Sequence, residues 1–197
     1  MDLLLIRHAL PVRIDDGEGP ADPERSDEGW RQAGALAAWL ADEEIEAMVA
    51  SPLRRAQETA EPLATLLDLE VTTVDGLAEF DRDAPWYIPM EELKAADDPR
   101  WHAMVNGEFH LDPDEFQRGV VDAVDAVIDA HPGLTVAAVC HGGTINAYLS
   151  AMLGIDRLMF FFPDYTSVSR VRASRSGARG LVSINETSHL RFAKRST

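Results

Sequence analysis

Asp2-Leu3-Leu4-Leu5-Ile6-Arg7-His8 is an unbroken apolar run that stops on two polar residues. A run without polar alternation suits a strand buried on both faces, as in a parallel sheet covered by helices. The same pattern returns far along the chain in Leu134-Thr135-Val136-Ala137-Ala138-Val139-Cys140-His141. Between the two, residues 11–25 carry Pro, Asp, Glu and Gly and read as a loop. Ser26 reads as the N-cap of a helix with Asp27 and Glu28 in its first turn and an apolar stripe of Ala33, Leu36, Ala37 and Leu40. Residues 45–50 read as a second strand. Ser51-Pro52 then reads as an N-cap with proline at the first helical position, opening a helix to about Leu67.

Further along, Glu70 to Val74 is a short strand, and residues 76–112 read as irregular. Asp112-Pro113 opens a helix to Ala130, and a helix after His141-Gly142-Gly143 runs through Leu153 to a Gly154 C-cap. Residues 166–173 and 180–185 read as two more strands around a Ser176-Gly177 turn. Strands alternating with helices predict an α/β fold, a three-layer sandwich with a mainly parallel central sheet and helices on both faces. With 197 residues and no linker or repeat, one domain spanning 1–197 is expected, with a small cap at about 80–112.

Composition narrows the function. The net charge of −16 argues against a nucleic-acid partner, which would need surplus Lys and Arg. Residues 1–133 hold 10 basic and 31 acidic side chains, whereas 134–197 hold 8 and 3. Solvated acidic helix faces explain this skew, and a basic C-terminal face meeting a second copy in a homodimer is the alternative. The single cysteine, Cys140, forbids an intrachain disulfide and a Cys-rich zinc site, and no metal or other cofactor is expected. The apolar runs are too short to cross a bilayer and there is no basic leader, so a soluble cytoplasmic chain is expected.

The chemistry converges on strand ends. Ligands of open α/β sheets bind beyond the carboxyl ends of the strands, so His8 and His141 are expected to reach one solvent-facing crevice. The helix beginning near Ser51 brings its N-terminus, with Arg54 and Arg55, to the same place. A neutral imidazole can attack phosphorus, and guanidinium groups match phosphoryl oxygens bidentately. One residue step turns the helix by roughly 100°, so only one of Arg54 and Arg55 should face the pocket. Gly142-Gly143 either cradles a phosphate or merely permits a tight turn.

The chain resembles the histidine phosphatase superfamily, the phosphoglycerate-mutase-like group, in the branch with His-Gly-Gly at the second histidine. The resemblance rests on Leu5-Ile6-Arg7-His8, Ser51-Pro52-Leu53-Arg54-Arg55-Ala56-Gln57-Glu58-Thr59-Ala60, His141-Gly142-Gly143, and Ser26-Asp27-Glu28-Gly29 with Gln32-Ala33. It implies that His8 is the phosphorylated nucleophile and that Arg7, Arg55, His141 and Gly142 bind the phosphoryl group. Glu79, in Leu77-Ala78-Glu79-Phe80, is implied as the general acid, with Asp81 and Asp83 as alternatives. The chain departs from the family pattern at Ala9, at Ile14 and across Phe80 to Pro85.

Three functions fit this reading. The first is a metal-independent phosphatase acting on a small phosphorylated metabolite or a phosphoprotein. The second is a phosphoglycerate-type mutase, and the third is a catalytically idle phosphate-binding module. Cys140 should face the core, because adjacent strand residues point to opposite faces. His102, His110, His131 and His189 lack metal-ligand spacing and read as surface or loop residues. Trp86, Tyr87, Trp101 and Phe109 either pack the cap or wall a substrate pocket.

Overall fold

A computed structural model describes residues 1–108 and 111–193, without the side chains of 192 and 193. Phe109 and His110 lie outside the described residues. Six strands, β1 (Asp2–Arg7), β2 (Ala47–Ala50), β3 (Val71–Thr73), β4 (Thr135–Cys140), β5 (Val168–Ala173) and β6 (Arg179–Glu186), form one sheet. Their spatial order is β3-β2-β4-β1-β5-β6. The first four in that order are parallel; β5 runs antiparallel to β1, and β6 antiparallel to β5. The helices are α1 (Asp27–Leu40), α2 (Arg54–Leu67), α3 (Met90–Ala95), α4 (Pro99–Asn106), α5 (Pro113–Ala130), α6 (Gly142–Leu153) and α7 (Ser188–Ala193).

The apolar runs of β1 and β4 split by parity into two cores. Leu4, Ile6, Ala137 and Val139 face one way, against Leu36 and Leu40 of α1 and Leu63 of α2. Leu3, Leu5, Val136, Ala138 and Cys140 face the other, against Val120 and Val124 of α5 and Ile145 and Leu149 of α6. Fully burying one such leucine contributes roughly 1.5–3 kcal/mol, which is why these two strands occupy the centre of the sheet. The result is the expected three-layer sandwich. Cys140 faces the core as expected, and burial raises its thiol pKa, which leaves the sulfur unreactive.

Three expectations need correction. Residues 76–112 are not irregular throughout: among the described residues, a 3₁₀ turn at Asp75–Leu77 is followed, after a loop, by α3 and α4. Asp98 caps α4, accepting from the Arg100 N–H, and Pro99 follows it, the same device that starts α5 at Asp112-Pro113. Ser51 is not an N-cap either. Helix α2 begins at Arg54 with Leu53 in the cap position; the Ser51 hydroxyl accepts from the Leu53 N–H ahead of the helix, and the Asp22 carboxylate accepts from the Arg54 N–H. Finally, α7 packs against α1 and carries His189, which is buried rather than at the surface.

Among the described residues no helix is long and apolar enough to cross a membrane.

Candidate active site

The two histidines meet because their strands are hydrogen-bonded neighbours in register. Arg7 of β1 pairs with Cys140 of β4, and the His8 N–H continues the ladder to the Cys140 carbonyl at 2.9 Å. Their next residues therefore leave the sheet side by side, with ring centroids 5.0 Å apart. On the other side of β4, Ala50 pairs with Val139, which delivers Ser51 to the same level. Ser51 Oγ lies 2.7 Å from His141 Nε2. His8 Nδ1 lies 2.8 Å from the Ala9 carbonyl oxygen. Thr59 of α2 bridges these parts: its hydroxyl accepts from the Ala9 N–H at 2.9 Å and donates to the Arg55 carbonyl at 2.6 Å.

Arg7 and Arg55 flank the imidazoles. The Arg55 side chain is 1% exposed, whereas that of Arg54 is 51% exposed and pairs with Glu24 and Glu58. Only one of the two thus enters the pocket, as the helical rotation requires. Each inner guanidinium lies on a phenol ring: Arg7 over Tyr165 at 3.8 Å and Arg55 over Tyr87 at 4.9 Å. Arg7 Nη1 also donates to the Pro163 carbonyl, and Arg55 Nη2 to Asp81 at 2.8 Å. Arg7 Nε, Arg55 Nε and Nη1, and His141 Nδ1 are buried without a hydrogen-bond partner among the described residues. Buried donors left unmatched cost about 1–3 kcal/mol each, so a cluster of them signals a polar guest. A tetrahedral oxyanion supplies acceptors in the needed directions.

The rings lie deeper than the open crevice expected from the strand ends: His8 is 3% exposed and His141 0%. Tyr87 and Tyr165 account for this. Their rings sit 6.2 and 5.6 Å from His8, and their hydroxyls are 3.2 Å apart, closing over that imidazole. By sequence alone Tyr87 is one of several cap aromatics, and Tyr165 carries no local signal. Trp86 and Trp101 stand farther out, under Arg100 and against Phe162.

Glu79 is buried beside α6, where Oε2 accepts from the Gly143 N–H at 2.7 Å and Oε1 from the Phe80 N–H at 3.0 Å. Burial, then the neighbouring Asp81 charge, raise its pKa to about 7. Asp81 is committed to Arg55, and Asp83 is exposed. Burial and the Arg55 and Arg7 charges hold both His8 and His141 well below the usual imidazole pKa, so both rings are neutral. Gly143 has a steric reason to be glycine, since a Cβ there would sit 2.6 Å from Phe80 Cδ1 and collide with the Glu79 carboxylate. Gly142 has no such constraint; its nearest neighbour would be Arg7 Nε at 3.8 Å. Gly143→Ala is expected to destabilise the protein by about 1–3 kcal/mol and to displace Glu79, read as a lower melting temperature together with lower turnover.

The Pro163–Ser167 turn completes the wall. Thr166 has φ 58°, a left-handed conformation that costs a β-branched residue roughly 1–3 kcal/mol. Its N–H reaches the Arg7 carbonyl at 3.0 Å. Among the described residues, no group of three or more His, Cys, Asp or Glu is placed to hold a metal ion.

The sequence model of the histidine phosphatase superfamily (branch 1) matches residues 3–187. The chain belongs to that superfamily. Within it, the chain is 32% identical over 199 residues to the bifunctional protein Rv2228c of Mycobacterium tuberculosis, covering 95% of this chain. The chain spans about half, 54%, of that relative's length. It is 29% identical to phosphoserine phosphatase 1 of Hydrogenobacter thermophilus, covering 95% of this chain and 93% of that one. The phosphoserine phosphatase of Entamoeba histolytica, solved with 3-phosphoglyceric acid, shares the superfamily fold at a TM-score of 0.75 and 24% identity, covering 96% and 98%. The α/β sandwich expected from the alternation of strands and helices is therefore this superfamily's fold.

Proposed function

We propose that the chain hydrolyses phosphomonoesters through a phosphohistidine on His8, without a metal. The observation that carries this reading is the contact between His8 Nδ1 and the Ala9 carbonyl. A carbonyl only accepts, so Nδ1 holds the ring proton and Nε2 keeps its lone pair. The low pKa keeps that ring neutral in the field of two arginines. Nε2 attacks phosphorus as the ester P–O bond breaks, and the protonated Glu79 gives its proton to the leaving oxygen. The Glu79 carboxylate then takes a proton from water, whose oxygen attacks phosphorus. The P–N bond breaks, and phosphate, neutral His8 and protonated Glu79 are regenerated.

Arg7, Arg55 and His141 stabilise the charge on the transferring oxygens. Ser51 assists through His141. Its oxygen already accepts from the Leu53 N–H, leaving the hydroxyl proton free for His141 Nε2 and the ring proton on Nδ1, facing the guest. Ser51→Ala should then lower kcat/KM about tenfold, the value of one hydrogen bond to a charged network, without altering the His8 assignment. A kcat/KM equal to wild type would leave Ser51 a packing residue only.

The substrate in this reading is a small phosphorylated metabolite. The phosphoserine phosphatase relative supports it, as does the tyrosine pair over His8, which leaves little room for a folded phosphoprotein. Residues 80–112, as a cap, select the leaving group, and Tyr87 and Tyr165 must part to admit it. That closure also favours a second reading, an idle phosphate-binding module. Quenching the protein with a 32P-labelled phosphomonoester into alkaline denaturant separates the two: acid-labile label on residue 8 supports the phosphatase, and phosphate binding with no label supports the module.

A further inference from the structure

The turn that shapes the Arg7 side of the pocket is itself held from the far end of the chain. Pro163 gives Arg7 its carbonyl acceptor, Tyr165 lies under the Arg7 guanidinium, and Thr166 N–H bonds the Arg7 carbonyl. Three parts of one turn thus fix one arginine. Yet the turn has an unfavourable centre, since Thr166 sits at φ 58°.

Two side chains from the last elements grip it. Asn185 of β6 takes the Asp164 N–H on Oδ1 and donates through Nδ2 to the Asp164 carboxylate, both at 2.8 Å. His189 of α7 lies 3.0 Å from Thr166 Oγ1 through Nε2. The Thr166 hydroxyl donates its single proton to the Tyr165 carbonyl at 2.7 Å, so Nε2 is the donor to Thr166. His189 is 3% exposed and stacks on Trp39 of α1, with centroids 5.0 Å apart and planes 21° from parallel. The ring is therefore fixed on both its face and its edge, and among the described residues its one polar contact is the strained threonine.

We propose that Asn185 and His189 are positioning residues that hold the Pro163–Ser167 turn, and that the turn aims the Arg7 guanidinium at the phosphoryl site. Neither touches substrate. This rests on the phosphate-site reading above. It gives the C-terminal β6–α7 segment a functional task beyond covering the sheet edge.

The test measures inorganic phosphate affinity by calorimetry and p-nitrophenyl phosphate kinetics, with active sites counted by the phosphohistidine burst, on the full chain well below its melting temperature. His189→Ala should weaken phosphate binding and raise KM about tenfold, the weight of one lost hydrogen bond amplified through Arg7. His189→Gln, which retains an N–H donor, should stay within about threefold of wild type. Thr166→Gly added to His189→Ala should restore most of the affinity, because glycine adopts φ near +58° without strain. Asn185→Gly removes the Asp164 clamp, keeps the φ of 55° without strain, and should shift the same two constants, so it carries the comparison if His189→Ala does not fold. A His189→Ala or Asn185→Gly protein with a lower melting temperature but unchanged phosphate affinity and KM overturns the proposal. A wild-type protein that neither binds phosphate nor turns over removes the phosphate-site reading itself.

Discussion

His8→Ala should abolish hydrolysis of p-nitrophenyl phosphate, with kcat/KM falling on the order of 10⁴-fold or more, as when other enzymes lose a nucleophile. The fold should persist, because His8 follows β1 rather than lying in either apolar core. Phosphate should still bind, since Arg7, Arg55 and His141 keep their unmatched donors. This split, no turnover but retained anion binding, is the signature of a missing nucleophile rather than of a damaged pocket. Turnover within tenfold of wild type would move the nucleophile off His8.

Glu79→Gln should be the second most damaging change, with kcat on natural-type alkyl phosphates down about 10²–10⁴-fold, the usual worth of a positioned acid. Aryl phosphates need less help at the leaving oxygen, so p-nitrophenyl phosphate should suffer least. The pH profile follows from the direction of each shift. Glu79 is useful when protonated, and its pKa is raised to about 7, so activity should decline as pH rises through that value. His8 is useful when neutral, and its pKa lies well below the usual imidazole value, so mildly acidic conditions should not disable it. The substrate's own second ionisation, near pH 6 for phosphate monoesters, must be divided out. In Glu79→Gln the alkaline limb should vanish. If it remained, with the aryl-to-alkyl preference unchanged, the acid would be another group, and Asp81 is next to it.

Much of this was readable from residues alone, for identifiable reasons. The unbroken runs of β1 and β4 can be satisfied only by burial on both faces, and that places them centrally with a histidine after each. The helical rotation between Arg54 and Arg55 is fixed by backbone geometry, and the structure shows only Arg55 inside. What escaped was non-local. Ser51 carries a strong local N-cap signal, but a partner ninety residues away, His141, takes its hydroxyl. Helices α3 and α4, with six and eight residues, are too short for periodicity to register. Only the Asp98-Pro99 pair marks one of them. Tyr165 and His189 gain their meaning from contacts across the chain, to Arg7 and to Trp39, which no local pattern announces.

The place of β1 in the sheet also bears on how the molecule is made. It precedes the other five strands of the sheet in the chain, yet both of its neighbours, β4 and β5, begin only at Thr135 and Val168. Until those segments leave the ribosome, Leu3, Leu4, Leu5 and Ile6 have no native partner, and their unpaired backbone is a template for association with other chains. Such high contact order slows folding and prolongs that exposure. The central strand that sets the two histidines side by side is thus also the segment for which a chaperone would have most to do.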